Sequence, residues 1–122
     1  MKLRLFSYAL LLAAFATGCD SGSSAPPVSD SMEEATVSGT VSVKGQATVG
    51  AEISFDPSNK LRKVGARTAK VDEKGLYTIK TLVGQNMVSV HSPAIDADQV
   101  LSANGKDVDV KPGQNNIPIE IP

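Results

Sequence analysis

Residues 36–55, TVSGTVSVKGQATVGAEISF, decide the fold. In 36–43 the residues Val37, Val41 and Val43 fall on one face, with Ser38, Thr40 and Ser42 on the other. Lys44-Gly45-Gln46 reads as a turn, after which Val49, Ala51, Ile53 and Phe55 alternate with Gly50, Glu52 and Ser54. Successive side chains of a strand point to opposite faces, so this period of two predicts two half-buried strands joined by a tight turn.

The same pattern continues outward. Asp56-Pro57-Ser58-Asn59 is a breaker cluster, and Arg67 to Val71 makes a weaker strand with Ala69 and Val71 inward. Asp72-Glu73-Lys74-Gly75 is a turn that Asp72 can cap and where Gly75 supplies a positive φ. Tyr77 and Ile79 alternate with Thr78 and Lys80, and Val88 and Val90 alternate with Met87, Ser89 and His91. Val108 and Val110 follow, then a turn at Lys111-Pro112-Gly113-Gln114, then Ile117, Ile119 and Ile121. Pro118 lacks an amide hydrogen, so it places this last strand at a sheet edge. Gly39 marks a bulge or a close approach. The Tyr77 hydroxyl is expected to reach a backbone group near the sandwich rim. The spacing predicts an all-β protein, an antiparallel sandwich of about seven strands over residues 35–122.

Toward the N-terminus the pattern changes twice. Met1-Lys2-Leu3-Arg4 is a short basic stretch, and residues 5–15, LFSYALLLAAF, are apolar except for Ser7. Small residues Ala16-Thr17-Gly18 precede Cys19, the one cysteine of the chain. This order describes a secretory signal over residues 1–18, with an apolar run too short to span a bilayer as a mature helix. The small residues ending in Cys19 resemble the lipobox of bacterial lipoproteins, although Ala16 stands where that motif usually has Leu. The resemblance implies cleavage between Gly18 and Cys19 and acylation of Cys19. Membrane lipid would then be the first partner. The chain would be exported and anchored in the bacterial cell envelope, in the inner or the outer membrane. Two or three acyl chains hold stably where one does not. Residues 20–34, DSGSSAPPVSDSMEE, lack apolar periodicity, so residues 19–34 read as the lipidated cysteine and a tether.

The quoted stretch and the turn at 72–79, DEKGLYTI, resemble the carboxypeptidase regulatory-like family, as does the final turn VKPGQN at 110–115. The resemblance covers about residues 35–121 and implies a transthyretin-like sandwich. That family has no shared catalytic residues to carry over. The first hairpin departs from the family pattern, with Gly45-Gln46-Ala47-Thr48 in place of Gly-x-Pro-Leu.

Chemistry is sparse. Without the signal segment the chain keeps ten basic and thirteen acidic residues, a net −3, and it has no Trp. Neither charge nor stacking platforms point to nucleic acid. A single cysteine excludes an internal disulfide and a thiolate metal cluster. His91 is the one histidine, and strand parity turns it to solvent. Asp96 and Asp98, with Asp107 and Asp109, are weak candidates for calcium, which takes six to eight oxygens. They lack the glycine turn and terminal glutamate of an EF-hand loop. Lys60, Arg62, Lys63 and Arg67 gather positive charge around the longest loop. They form a candidate surface contact for anionic lipid or acidic envelope polymers, or simply a soluble loop. No cofactor motif occurs, and an enzyme is the least supported class. The sequence therefore favours a non-catalytic binding or structural module with an envelope protein partner. A carrier of a small ligand or calcium is the alternative.

Overall fold

The computed structural model describes residues 28–122. Gly18, Cys19 and the signal segment lie outside the described residues. Nine strands and two short helices follow in chain order. They are β1 (Glu34–Val43), β2 (Gln46–Ala47), β3 (Glu52–Asp56), β4 (Arg67–Lys70), β5 (Leu76–Leu82) and β6 (Gly84–His91). Then come α1 (Pro93–Asp96), α2 (Gln99–Ser102), β7 (Lys106–Val110), β8 (Gln114–Asn116) and β9 (Ile119–Ile121).

Two sheets face each other. One has the order β4-β3-β6-β7, antiparallel throughout. The other is built on β1, which pairs antiparallel with β5 and β2. On its other side β1 takes β8 and β9, both parallel. The antiparallel all-β sandwich expected from the sequence is what forms, with β8 and β9 added to it in parallel along β1. The count of nine is close to the seven expected. β2 is a two-residue arm, and Pro118 cuts one C-terminal strand into β8 and β9. Pro cannot donate to the ladder, so the break falls there and the segment lies at the rim, as its sequence implied.

The inward faces follow the alternation. Val37 and Val41 from β1, Ile53 and Phe55 from β3, Tyr77 and Ile79 from β5, and Val88 and Val90 from β6 are buried. Phe55 and Tyr77 meet across the two sheets with ring centroids 5.8 Å apart. Parity fails at Val49, expected inward but 60% exposed. Gly50 takes φ +75 and turns the chain before β3 begins at Glu52. Ala69 is only half-buried, while Val71 is buried beyond the end of β4, its amide bound to Ala51 O at 2.8 Å.

The C-terminal segment is fixed at one junction. Gly39 has no side chain to obstruct Ile117, whose carbonyl oxygen would lie 2.3 Å from an added Cβ. The Tyr77 hydroxyl donates to the same carbonyl at 2.5 Å. Burial pushes the pKa of that hydroxyl well above its ordinary value. Gly39 thus marks a close approach, and Tyr77 finds the rim partner its position predicted.

Gly39→Ala is expected to lower stability by about 2–4 kcal/mol, since backbone rather than a movable side chain must give way. Tyr77→Phe should cost about 1–2 kcal/mol from the orphaned carbonyl. Urea denaturation of both variants checks the order. A protonated phenol is favoured in the fold, so Tyr77 contributes stability that is whole below its ordinary pKa of 10.0 and is lost as pH rises above it. The alkaline limb of the stability curve should flatten in Tyr77→Phe.

Candidate functional site

The residues singled out by sequence separate into two ends of the sandwich. One end gathers the start of β1, the loop of residues 57–66, and the β5–β6 hairpin. The other gathers α1, α2, the end of β1 and β9.

Arg62 organises the first end and is not a surface residue: it is 3% exposed. The expectation of a surface contact is corrected here. Its Nε donates to Pro57 O at 2.6 Å. Its Nη1 donates to Ser31 O and Val83 O, both at 2.7 Å, and to Ser29 Oγ at 3.4 Å. Its Nη2 donates to Gln85 O at 3.1 Å. The planar fork of guanidinium N–H groups suits this cluster of carbonyls, where a lysine ammonium would reach fewer. Removal from water lowers the Arg62 pKa from its ordinary value, and the charge of Asp30 opposes that shift. Lys60 and Lys63 remain exposed and Arg67 half-exposed, its Nη1 donating to Gly65 O at 3.0 Å.

The oxygens that Arg62 holds, four carbonyls and the Ser29 hydroxyl, belong to three separate pieces of chain. Ser29 and Ser31 come from the stretch read as tether, Pro57 from the loop, Val83 and Gln85 from the hairpin. Asn59 reinforces the first link by donating Nδ2–H to Ser29 O at 2.8 Å, and Val83 N donates to Glu33 O at 2.9 Å. Residues 28–33 are therefore seated on the sandwich, and β1 begins at Glu34, one residue before the boundary read from sequence. Gly84 makes the seat. It has φ +106, and a Cβ there would lie 2.3 Å from Ser29 Cβ. The hairpin itself is braced internally: Thr81 Oγ1 donates to Asn86 Oδ1 at 2.6 Å, and Asn86 Nδ2 donates to Leu82 O and Gly84 O.

The late aspartates do not converge. Asp98 caps α2, accepting from Val100 N and Leu101 N at 2.8 and 3.1 Å. Those two amide bonds hold its carboxyl below the ordinary range. Asp109 faces Lys111 at 2.5 Å, and Asp107 lies opposite Met87 on the outer sheet face. Among the described residues no group of three or more His, Cys, Asp or Glu side chains could hold a metal ion.

Asp96 makes an arrangement that sequence parity did not reveal. Its Oδ1 lies 3.2 Å from His91 Nδ1, and His91 Nε2 lies 3.1 Å from Ser89 Oγ. Ser89 and His91 share a face because they are two apart on β6. Asp96 reaches them only because α1 folds back. The row is open to water, with about half of the His91 and Asp96 side chains exposed. Its backbone surroundings are already committed. Val90 N donates to Asn104 Oδ1 at 2.8 Å, and β6 ladders with β3 from Met87 to His91. These bonds tie the backbone beneath the row into the fold.

The second end carries a cleft of about 300 Å³ between α2, the start of β7 and β9. Val100, Leu101, Ala103, Ile121 and Pro122 form its apolar wall, with Lys106 and Glu120 at its edge. Val100 is 80% exposed.

No protein-family model matches the chain, and no curated protein matches it. Among solved structures it is similar to a DUF3823 family protein from Parabacteroides merdae, at 15% identity and TM-score 0.55, over 72% of this chain and 45% of that one. It is also similar to the TIE protein of Bacillus anthracis, at 15% identity and TM-score 0.50, over 73% of this chain and 16% of that one. The chain therefore spans less than half the length of either neighbour. At such identity the likeness is one of fold.

Arg62→Met keeps most of the volume but leaves carbonyls of three segments without a donor. It should cost about 2–4 kcal/mol. Hydrogen exchange should quicken at the Ser31 and Val83 amides before the β3–β6 ladder loosens. At Asp98 the depressed carboxyl contributes stability that is present above its ordinary pKa of 3.8 and is lost as pH falls below it. Asp98→Asn should reduce that acid loss, read by thermal melts from neutral to acid pH. These two variants test opposite ends of the sandwich.

Proposed function

We propose that this protein is an envelope lipoprotein. In it Cys19 carries the membrane anchor, and a sandwich of the carboxypeptidase regulatory-like type acts as a non-catalytic binding or structural module. The observation that carries the reading is the seat of Ser29 and Ser31 on Arg62. An anchor at Cys19 would lead into a segment fixed to the body of the domain, so the sandwich would stand on the membrane by a defined end. The partner is an envelope protein, met by the end away from the anchor or by a sheet edge. An extended segment of a partner can add to such an edge.

A second reading rests on the cleft beside α2. Its apolar wall of Val100, Leu101 and Ile121 with Lys106 and Glu120 at the rim suits a small amphipathic ligand. Such sites combine apolar lining with a few polar groups. Val100→Trp, at an exposed position on the cleft wall, would fill that cleft and distinguish the two readings, since it should leave a protein partner at a sheet edge undisturbed.

The anchor has a direct test. The mature protein should fractionate with membranes, and its intact mass should show acyl groups on an N-terminal Cys19. Cys19→Ala should move it to the soluble fraction with its circular dichroism unchanged. A wild-type protein with an unmodified Cys19 thiol would remove the proposal.

A further inference from the structure

The loop that carries Arg62 turns a different chemistry outward. Over residues 57–66, PSNKLRKVGA, there is no acidic residue. Lys60 and Lys63 are exposed. Leu61, between Lys60 and Arg62, is 57% exposed, and Met32 on the seated segment is 62% exposed. The loop does not bury Leu61 because its local frame is set by other atoms. Asn59 Oδ1 accepts from Leu61 N at 2.7 Å and from Arg62 N at 3.0 Å, and the guanidinium points inward. Fixing Arg62 inward leaves its neighbours in sequence facing water. Asp30 and Glu33 on the seated segment and Asp56 at the end of β3 are the acidic groups nearest in the chain. Asp56 is engaged by Ser58 N at 2.9 Å.

This surface lies beside the point where the chain leads back toward Cys19. Ser29 is ten steps along the chain from Cys19, a reach of at most about 36 Å when fully extended. The opposite end of the sandwich lies farther by about the length of β1, ten residues or about 33 Å. We propose that residues 60–64 are a second membrane contact, in which Lys60 and Lys63 meet anionic phospholipid headgroups and Leu61, with Met32, enters the interface. Basic side chains flanking an exposed apolar one are the combination that lies in the headgroup region. The contact rests on the anchor at Cys19, which holds the loop at high local concentration near the bilayer. Its effect is to set the tilt of the sandwich, so that the α2 cleft and the far turns face away from the membrane.

The test uses the full mature lipoprotein in vesicles. Acylated Cys19 has no free thiol, so Leu61→Cys gives one site for an environment-sensitive fluorophore. Glu73→Cys, in the turn at the opposite end, gives the control. Intact mass and vesicle flotation report the anchor independently. On phosphatidylglycerol-containing vesicles the probe at position 61 should shift to the blue and be quenched by brominated lipid. The probe at 73 should keep its aqueous emission. Lys60→Glu with Lys63→Glu should abolish the shift at 61 while flotation persists. Aqueous emission at 61 on floated, acylated protein overturns the contact and spares the anchor. A blue shift with soluble acidic polysaccharide but not with vesicles overturns it in favour of an envelope polymer. A protein that does not float and keeps a free Cys19 thiol overturns the anchor and the contact together.

Discussion

The carbonyl of Ile117 ties the two halves of the chain together. Gly39 on β1 allows it to approach, and Tyr77 on β5 donates to it. Those strands are neighbours through seven register pairs, Glu34↔Leu82 to Thr40↔Leu76. The C-terminal segment is thus placed on the strand that already has its other edge occupied. Parallel pairing requires a long connection, and here almost the whole domain forms it. Without this junction β1 would present an open edge over its full length, and edges invite pairing with other chains. The turn before it contributes from the side: Asn115 accepts from Lys111 N at 2.9 Å and donates to Lys111 O at 2.8 Å.

Arg62 solves a different problem. A buried charge is costly unless its polar partners replace water. Here backbone carbonyls do so, and no carboxylate lies within ion-pairing distance among the described residues. Carbonyl dipoles come from wherever the chain passes, so satisfying one guanidinium brings three non-consecutive segments to one point. The same bonds satisfy carbonyls at the ragged end of the sandwich, where no ladder continues. Serving as a crosslink explains why a long cationic side chain is kept inside a small domain with a modest core.

Much of the fold was legible in the alternation alone. Val37, Val41, Ile53, Phe55, Tyr77, Val88 and Val90 are buried as their parity required, and Asp72 closes its turn through Lys74 N and Leu76 N. Parity is a local rule, and it failed where local structure changed. Val49 lost its inward position to the positive φ of Gly50. The helical turns α1 and α2 are four residues each, too short for periodicity to register. Parallel pairing of β8 and β9 depends on which edge of β1 is free, which no single strand encodes. The site was less legible. Arg62 looked like its neighbours Lys60 and Lys63 because composition does not show direction. The signal that separates them is Asn59, whose side chain accepts from the Arg62 amide and folds the loop inward. Gly84 was another signal, a glycine in a hairpin where a side chain of the incoming segment must fit.

The two ends of the sandwich differ in how they are made, and that difference bears on what each can do. At the Arg62 end the chain is crosslinked by side-chain bonds across long sequence separations, which favours holding a fixed orientation. At the α2 end the structure is assembled from short caps. Ser92 accepts from Ile95 N, Asp98 caps α2, and Asn104 holds Val90 through both its amide and its carbonyl. Four-residue helices gain little from helical cooperativity, so this end owes its shape to Ile95 and Leu101 buried against the sheets. Side-chain caps over a small buried footprint can yield to an incoming ligand at lower cost than a laddered strand can. Under the proposed anchorage at Cys19, the crosslinked end would face the support and the capped end would face away from it.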